Sequence, residues 1–131
     1  MTCVWRALFA GLDPDAKRRV AKPNSLPSYL KTHNARTPTV KVNGHRLTEK
    51  CMEENEEAVN VFDVRSITQG YLCSASDPFI CLYSHVFKTN VSHRWHNGAT
   101  IRYTVPDAVR HVSLRSNRGH MSYAGTKPIV S

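Results

Sequence analysis

The second half of this chain is built from short runs of β-branched and aromatic residues, separated by Ser, Asn, Gly and Pro. The runs after Gly70 are YLCSA, FICLYSHVF, ATIRYTV and VRHVSLRS. Apolar runs of this length between turn-forming residues are typical of β-strands. We therefore expect three or four strands here, including one over FICLYSHVF, and this limits the fold to one that contains a sheet.

The first 38 residues show a different pattern. Apolar residues recur at helical spacing from Val4 to Leu12, which predicts a short helix over 3–11. The basic segment 17–38 contains three prolines. It predicts an extended arm with at most one turn of helix, near Ser28 to Thr32.

Two further elements are predicted in the middle of the chain. The Asn-Gly pair in TVKVNGHRLT predicts a two-residue β-hairpin, because this dipeptide favours the backbone of a tight turn. The segment EKCMEENEEAVNVF holds five of the ten acidic residues and is rich in helix formers, so we expect a helix from Glu49 to Val59. The expected fold class is α+β, with a small basic antiparallel β unit at 79–131. Residues 1–78 would form an extension made of the helix, the arm, the hairpin and the acidic helix.

Positive charge is concentrated in the predicted β unit. The chain of 131 residues carries a net charge of +8. Residues 1–80 contribute +2 and residues 81–131 contribute +6, with Asp107 as the single acid of the second part. A basic balance of this size indicates an anionic partner, such as nucleic acid or an anionic membrane surface. No apolar run approaches the ~18 residues that suggest a membrane span, so none is expected.

The pattern of basic and aromatic residues in 81–131 predicts a surface for RNA. In ATIRYTV, alternation places Ile101, Tyr103 and Val105 on one face and Arg102 on the other. Guanidinium groups pair with phosphate oxygens, and aromatic rings stack on bases. An alternative is a basic surface that serves protein contacts or solubility. The residues expected to contact RNA are Lys88, His93, Arg94, Trp95, Arg102, Tyr103, Arg110, Arg115, Arg118 and Lys127.

Zinc binding is an alternative use of the histidines and cysteines. The possible ligands within 24 residues are Cys73, Cys81, His85, His93 and His96. Structural zinc sites take ligands in close pairs, and neither Cys81-x3-His85 nor His93-x2-His96 has a standard spacing. We expect no metal and no other cofactor. We expect the four cysteines to be reduced, because the sequence shows neither a C-x-x-C pair nor a secretory signal peptide.

Nucleophilic catalysis is the second alternative. Cys3-Val4-Trp5 at the start of the predicted helix resembles the cysteine of papain-like proteases, with His93 or His96 as base and Asp107 as its orienting group. A nucleophile of this kind is served by a turn that precedes it and supplies oxyanion donors. Two residues precede Cys3 in this sequence, so we expect no catalytic role and no small-molecule substrate.

Several short motifs in 79–127 resemble the bacterial-type large-subunit ribosomal protein family numbered twenty-eight. The order of these motifs resembles that of the family: a strand with a Cys, an Asn-Val-Ser-His turn, a Thr-x-Arg segment before a proline, and a Val-x-Leu-Arg strand. The matching residues are Cys81, Asn90-Val91-Ser92-His93, Thr100-Ile101-Arg102, Val105-Pro106-Asp107, Val112-Ser113-Leu114-Arg115 and Met121.

The resemblance implies a structural protein of a ribosomal large subunit that packs its β unit into ribosomal RNA beside neighbouring ribosomal proteins. A bacterial-type unit with an added segment of about 80 residues further implies a mitochondrial ribosome and the mitochondrial matrix. The expected function is therefore non-enzymatic. A second hypothesis is an accessory subunit of a mitochondrial respiratory or ATP-synthase complex, in which the basic residues meet acidic neighbours or lipid head groups.

Overall fold

The computed structural model describes residues 3–64, 77–118 and 120–129, and it has a mixed α+β fold, as the sequence predicts. A 3₁₀ turn, Pro23–Ser25, joins the second and third helices. The helices are α1 (Cys3–Ala10), α2 (Pro14–Val20), α3 (Leu26–Thr32), α4 (Glu49–Val61) and α5 (Pro78–Phe87). The strands are β1 (Lys41–Val42), β2 (His45–Arg46), β3 (Thr89–Arg94), β4 (Thr100–Thr104), β5 (Arg110–Asn117) and β6 (His120–Pro128).

All six strands join in one sheet with the order β2-β1-β4-β3-β5-β6. Neighbouring strands run antiparallel, as expected, except β3 and β5, which run parallel with Val91 opposite Val112. The predicted extension takes part in this sheet, because Val42 of β1 lies opposite Tyr103 of β4. Strand β6 lies at one edge of the sheet, and α1 packs against it.

The predicted extended arm at 17–38 is wrong, because most of it is helical. The side chain of Asp13 caps α2 by accepting a hydrogen bond of 2.7 Å from the backbone N–H of Ala16. Pro14 and Pro27 lie in the first turns of α2 and α3. Proline is favourable at this position, since its missing N–H would have no helical acceptor there.

The predicted strand over FICLYSHVF is also wrong, because these residues form α5. The side chain of Asp77 caps this helix by accepting from the N–H groups of Phe79 and Ile80, at 2.9 and 3.1 Å. The helix is apolar on nearly all sides and largely buried, so it lacks the one-sided pattern that reveals a surface helix. A short apolar run of this kind fits a buried helix and a buried strand equally well.

Other local predictions can be compared directly with the structure. Those for α1, the Asn-Gly hairpin, α4, β4 and β5 are confirmed, with ends shifted by up to two residues. Cys81, expected on a strand, lies in α5, and the expected turn at 90–93 lies inside β3. The predicted strand over YLCSA falls outside the described residues.

The core lies between the helices and one face of the sheet. Val91, Tyr103, Val112 and Leu114 point into it and are buried. The approach of α1 to the sheet is close, since a Cβ added at Gly11 would lie 2.7 Å from a methyl carbon of Val112. None of the described helices is long and apolar enough to cross a membrane.

Candidate nucleic-acid interface

The face of the sheet that points away from the helices is polar and basic. Side chains alternate between the two faces of a strand, so the neighbours of buried Val91, Tyr103 and Val112 point outward. Arg94 of β3 lies opposite Arg115 of β5, and Arg102 of β4 lies opposite Ser92 of β3. The outward-facing side chains of β3, β4 and β5 therefore form one polar surface.

Register and exposure place six cations on this surface, which we call the basic face. Each of the six described strands contributes one, and they are Lys41, Arg46, Arg94, Arg102, Arg115 and Lys127. None of the six described strands contains an Asp or a Glu. Within the described part of the chain, none of these six cations forms a salt bridge. The described part of the chain therefore does not neutralise the positive charge of the basic face through ion pairs.

His111 lies on the basic face, and the cations around it affect its pKa. Its Nε2 forms a hydrogen bond of 2.8 Å with the hydroxyl of Ser92 on the neighbouring strand. The pKa of His111 is lowered, first by desolvation and then by the charges of Arg102 and Lys127. Two cations on strands on either side of His111 thus act on the same imidazole. A mobile anion at this position would be attracted by both.

Polar side chains without charge fill the spaces between the cations. Ser92, Thr100, Thr104 and Ser113 are partly exposed on the strands that carry Arg94, Arg102 and Arg115. Hydroxyl groups donate hydrogen bonds to phosphate and sugar oxygens. The basic face therefore combines charge with hydrogen-bond donors over a continuous part of the sheet.

Four of the ten residues predicted to contact RNA share the basic face. They are Arg94, Arg102, Arg115 and Lys127. Lys88 and Arg118 are also exposed, but Lys88 follows α5 and Arg118 follows β5, both with left-handed backbone. Lys88 further lies 3.8 Å from the carboxylate of Asp107.

The remaining four predicted contacts are partly or fully buried. Trp95 is half-buried at the end of β3, with its ring centroid 4.6 Å from that of the buried His93. Tyr103 is buried, and its hydroxyl accepts a hydrogen bond from the backbone N–H of Asp77. Arg110 is half-buried and bonds to Asp13 at 2.8 Å. His93, Tyr103 and Arg110 thus serve the interior of the fold.

Sequence analysis missed two members of the basic face. Lys41 and Arg46 lie on the Asn-Gly hairpin, which was assigned to the extension. Lys41 pairs with Thr104 of β4 and so joins the surface of the β unit. The hairpin itself had a clear signal, but the strand that it pairs with is about 60 residues away and leaves no trace in the local sequence.

The residues considered for nucleophilic catalysis are not brought together. Cys3 is a free thiol at the start of α1, and its Sγ accepts a hydrogen bond of 3.4 Å from the backbone N–H of Met121. His93 is buried, its Nε2 contacts the hydroxyl of Ser116, and burial lowers its pKa. His96 is exposed in the connection between β3 and β4. Among the described contacts, Cys3 is paired with neither histidine.

The residues considered as zinc ligands form no cluster in the described part of the chain. No group of three or more His, Cys, Asp or Glu residues there could hold an ion, and Cys73 lies outside the described residues. Cys3, Cys51 and Cys81 are free thiols. Burial raises the pKa of the Cys81 thiol far above its ordinary value, which makes it a poor ligand.

Comparisons with known proteins do not connect the chain to a family. It matches no protein-family model, and neither the curated proteins nor the solved structures contain a significant match.

Proposed function

We propose that this protein is a non-enzymatic, RNA-binding constituent of a mitochondrial ribosomal large subunit. The observation that carries the proposal is the basic face, with six exposed cations on strands that contain no acid. A surface of this sign attracts phosphates and releases their condensed counterions. The ribosomal part of the proposal rests on the order of the short motifs in 79–127.

The binding mode would depend on the phosphate backbone rather than on the bases. Arg102 and Lys127 act on the same imidazole from different strands, so a phosphate above His111 would feel both charges. Guanidinium groups bind phosphate oxygens through two parallel hydrogen bonds, and the hydroxyl groups of Thr100 and Thr104 can donate to further oxygens. Contacts of this kind position a folded RNA on the sheet without reading its sequence.

A polynucleotide fits the basic face better than a lipid surface does. Peripheral binding to a membrane combines basic residues with apolar side chains that enter the lipid. The large exposed apolar residues of the described chain are Val61, Val109, Tyr123 and Ile129. Val61 lies in α4, Tyr123 lies opposite the inward-facing Leu114, and Val109 and Ile129 lie beyond the ends of β5 and β6, so none stands between the cations. The basic face presents Ser and Thr between its cations instead.

Co-sedimentation with mitochondrial ribosomal subunits tests this proposal. Tagged protein is expressed in cells, and mitochondrial lysates are separated on sucrose gradients before and after nuclease treatment. We expect the protein in the large-subunit fraction, and its release when the RNA is digested. Recovery with a respiratory or ATP-synthase complex, unaffected by nuclease, would support the rival hypothesis of an accessory subunit. Absence from both fractions would refute the ribosomal assignment.

A further inference from the structure

An open cleft of about 450 Å³ lies at the carboxyl ends of the parallel strands β3 and β5. One wall consists of Arg94, Trp95 and His96, and the other consists of Arg115, Ser116 and Asn117. The cleft thus begins at one end of the basic face and shares Arg94 and Arg115 with it.

No ion pair within the described residues compensates the positive charge of the cleft. Arg94 and Arg115 are exposed and lie directly opposite each other on adjacent strands. Within the described part of the chain, neither forms a salt bridge. Like charges in this arrangement are unfavourable, and a phosphate between them would relieve the repulsion by accepting charge-assisted hydrogen bonds.

Trp95 gives the cleft an aromatic wall next to these charges. It is half-buried, and its ring packs at an angle of 38° on the ring of His93. Packing on a buried ring holds the indole in place, so little side-chain entropy remains to be lost when a ligand stacks on it. A fixed aromatic ring beside two guanidinium groups is the arrangement by which proteins hold an unpaired base together with its phosphate.

A buried histidine beside the cleft positions two of the residues that line it. His93 is fully buried, its Nε2 contacts the hydroxyl of Ser116, and its Nδ1 has no hydrogen-bond partner among the described residues. Its ring contacts two residues that line the cleft, Trp95 and Ser116, so His93 holds both of them in place.

We infer that the cleft binds a single unpaired nucleotide, with its base stacked on Trp95 and its phosphate between Arg94 and Arg115. This inference rests on the proposed RNA-binding function and specifies what part of an RNA the protein recognises. A fully paired helix would use only the open sheet, because its bases are stacked on one another and cannot enter the cleft. The favoured RNA therefore has a bulge or a loop next to a helix.

Two oligomers of equal length and charge distinguish the contribution of base stacking to binding from that of charge. The probes are a single-stranded RNA of about eight nucleotides and an oligomer of the same length and charge that lacks its bases. Binding is followed by quenching of tryptophan fluorescence, since Trp5 is fully buried and Trp95 is not. We expect the oligomer with bases to bind about tenfold more tightly and to quench Trp95.

Three variants show which side chains cause the difference in affinity between the two probes. Their binding is followed by fluorescence polarisation of labelled probes, because Trp95→Ala removes the reporter. Trp95→Ala should abolish the preference for bases, and Trp95→Phe should keep most of it, which shows that the ring and not only the fold is needed. Arg102→Gln/Lys127→Gln, on the open sheet, should weaken both probes by a similar factor and leave the preference intact.

Each outcome of this experiment decides the inference. Equal and tight binding of both probes overturns the nucleotide site and leaves the RNA-binding function in place. A preference that survives in Trp95→Ala overturns it as well. Failure of both probes and of a structured RNA to bind would refute the RNA-binding function itself. Quenching of Trp95 by a Glu-rich peptide, with none by the oligonucleotides, would assign the cleft to an acidic protein instead.

Discussion

Arg94 and Arg115 lie directly opposite each other on the parallel strands β3 and β5, and both are exposed without a salt bridge in the described part of the chain. A fold that places two like charges side by side has given up some stability at this point. An anionic ligand would recover it. The same reasoning extends along the basic face, where Arg102 and Lys127 act together on His111.

Removing two cations of the basic face should raise the pKa of His111. Arg102 and Lys127 disfavour its charged form, so Arg102→Gln/Lys127→Gln should move the pKa upward, toward its ordinary value of 6.5. NMR titration of the imidazole protons measures this shift. His93 is an internal control, because its pKa is lowered by desolvation and should stay where it is. An unchanged pKa of His111 would show that these cations do not act on it.

The ion pair between Asp13 and Arg110 should stabilise the protein in a pH-dependent way. The pKa of Asp13 is lowered, first by the hydrogen bond from the Ala16 N–H and then, against some desolvation, by the charge of Arg110. A lowered pKa contributes stability above the ordinary value of 3.8, and this is lost as the pH falls through the folded value. In urea unfolding, Asp13→Asn should therefore be less stable than the unsubstituted protein at neutral pH, with the difference shrinking in acid. A difference independent of pH would contradict this assignment.

The close approach of α1 to the sheet should make Gly11→Ala destabilising. The added Cβ would lie 2.7 and 2.8 Å from the two methyl carbons of Val112, so the helix or the strand must shift. We expect the free energy of unfolding to fall by about 1–3 kcal/mol. Adding Val112→Ala removes the two closest contacts and leaves the Tyr83 hydroxyl at 3.0 Å from the added Cβ. In a double-mutant cycle, the combined effect should be smaller than the sum of the two single effects, and simple additivity would show that no clash occurs.

Burial of His93 should make stability fall on mild acidification. Its pKa is lowered by desolvation, so the folded protein resists protonation while the unfolded chain accepts a proton near the ordinary value of 6.5. Stability is then complete above pH 6.5 and decreases below it, toward the folded pKa. Guanidinium unfolding of the unsubstituted protein and His93→Gln should differ in pH dependence between roughly pH 5 and pH 7. Equal pH dependence would mean that His93 titrates alike in the folded and unfolded states.

Local sequence patterns identified four of the six described strands together with α1 and α4, but they missed α2 and α5. Alternation placed Tyr103 and Arg102 on opposite faces of β4, and Asn43-Gly44 marked the hairpin, because both signals depend on adjacent residues. The run FICLYSHVF was mistaken for a strand, since a helix buried on all sides has no polar stripe. Its start was nevertheless marked by Asp77 and Pro78, which are typical of a helix N-terminus.

The candidate interface could be predicted only in part. Charge concentration and strand alternation identified Arg102 and Arg115 as outward-facing cations, and both lie on the basic face. Lys41 reaches the basic face because β1 pairs with β4, and the local sequence has no signal for pairing between strands so far apart in the chain. Arg110 was expected on the surface, but its partner Asp13 is 97 positions away and became visible only in the fold.

The salt dependence of RNA binding tests the central claim most directly. Affinity for a structured RNA is measured by filter binding over a series of salt concentrations, for the unsubstituted protein and two variants of equal charge. Each phosphate that is no longer neutralised should reduce the slope of log affinity against log salt by about one.

We expect Arg102→Gln/Lys127→Gln to bind more weakly and with a slope smaller by about two. Arg18→Gln/Arg19→Gln removes the same charge from α2, where both guanidinium groups lie beside Asp15, and should keep the original slope. Equal slopes for the two variants, or no measurable binding by the unsubstituted protein at low salt, would contradict the assignment of the basic face to RNA.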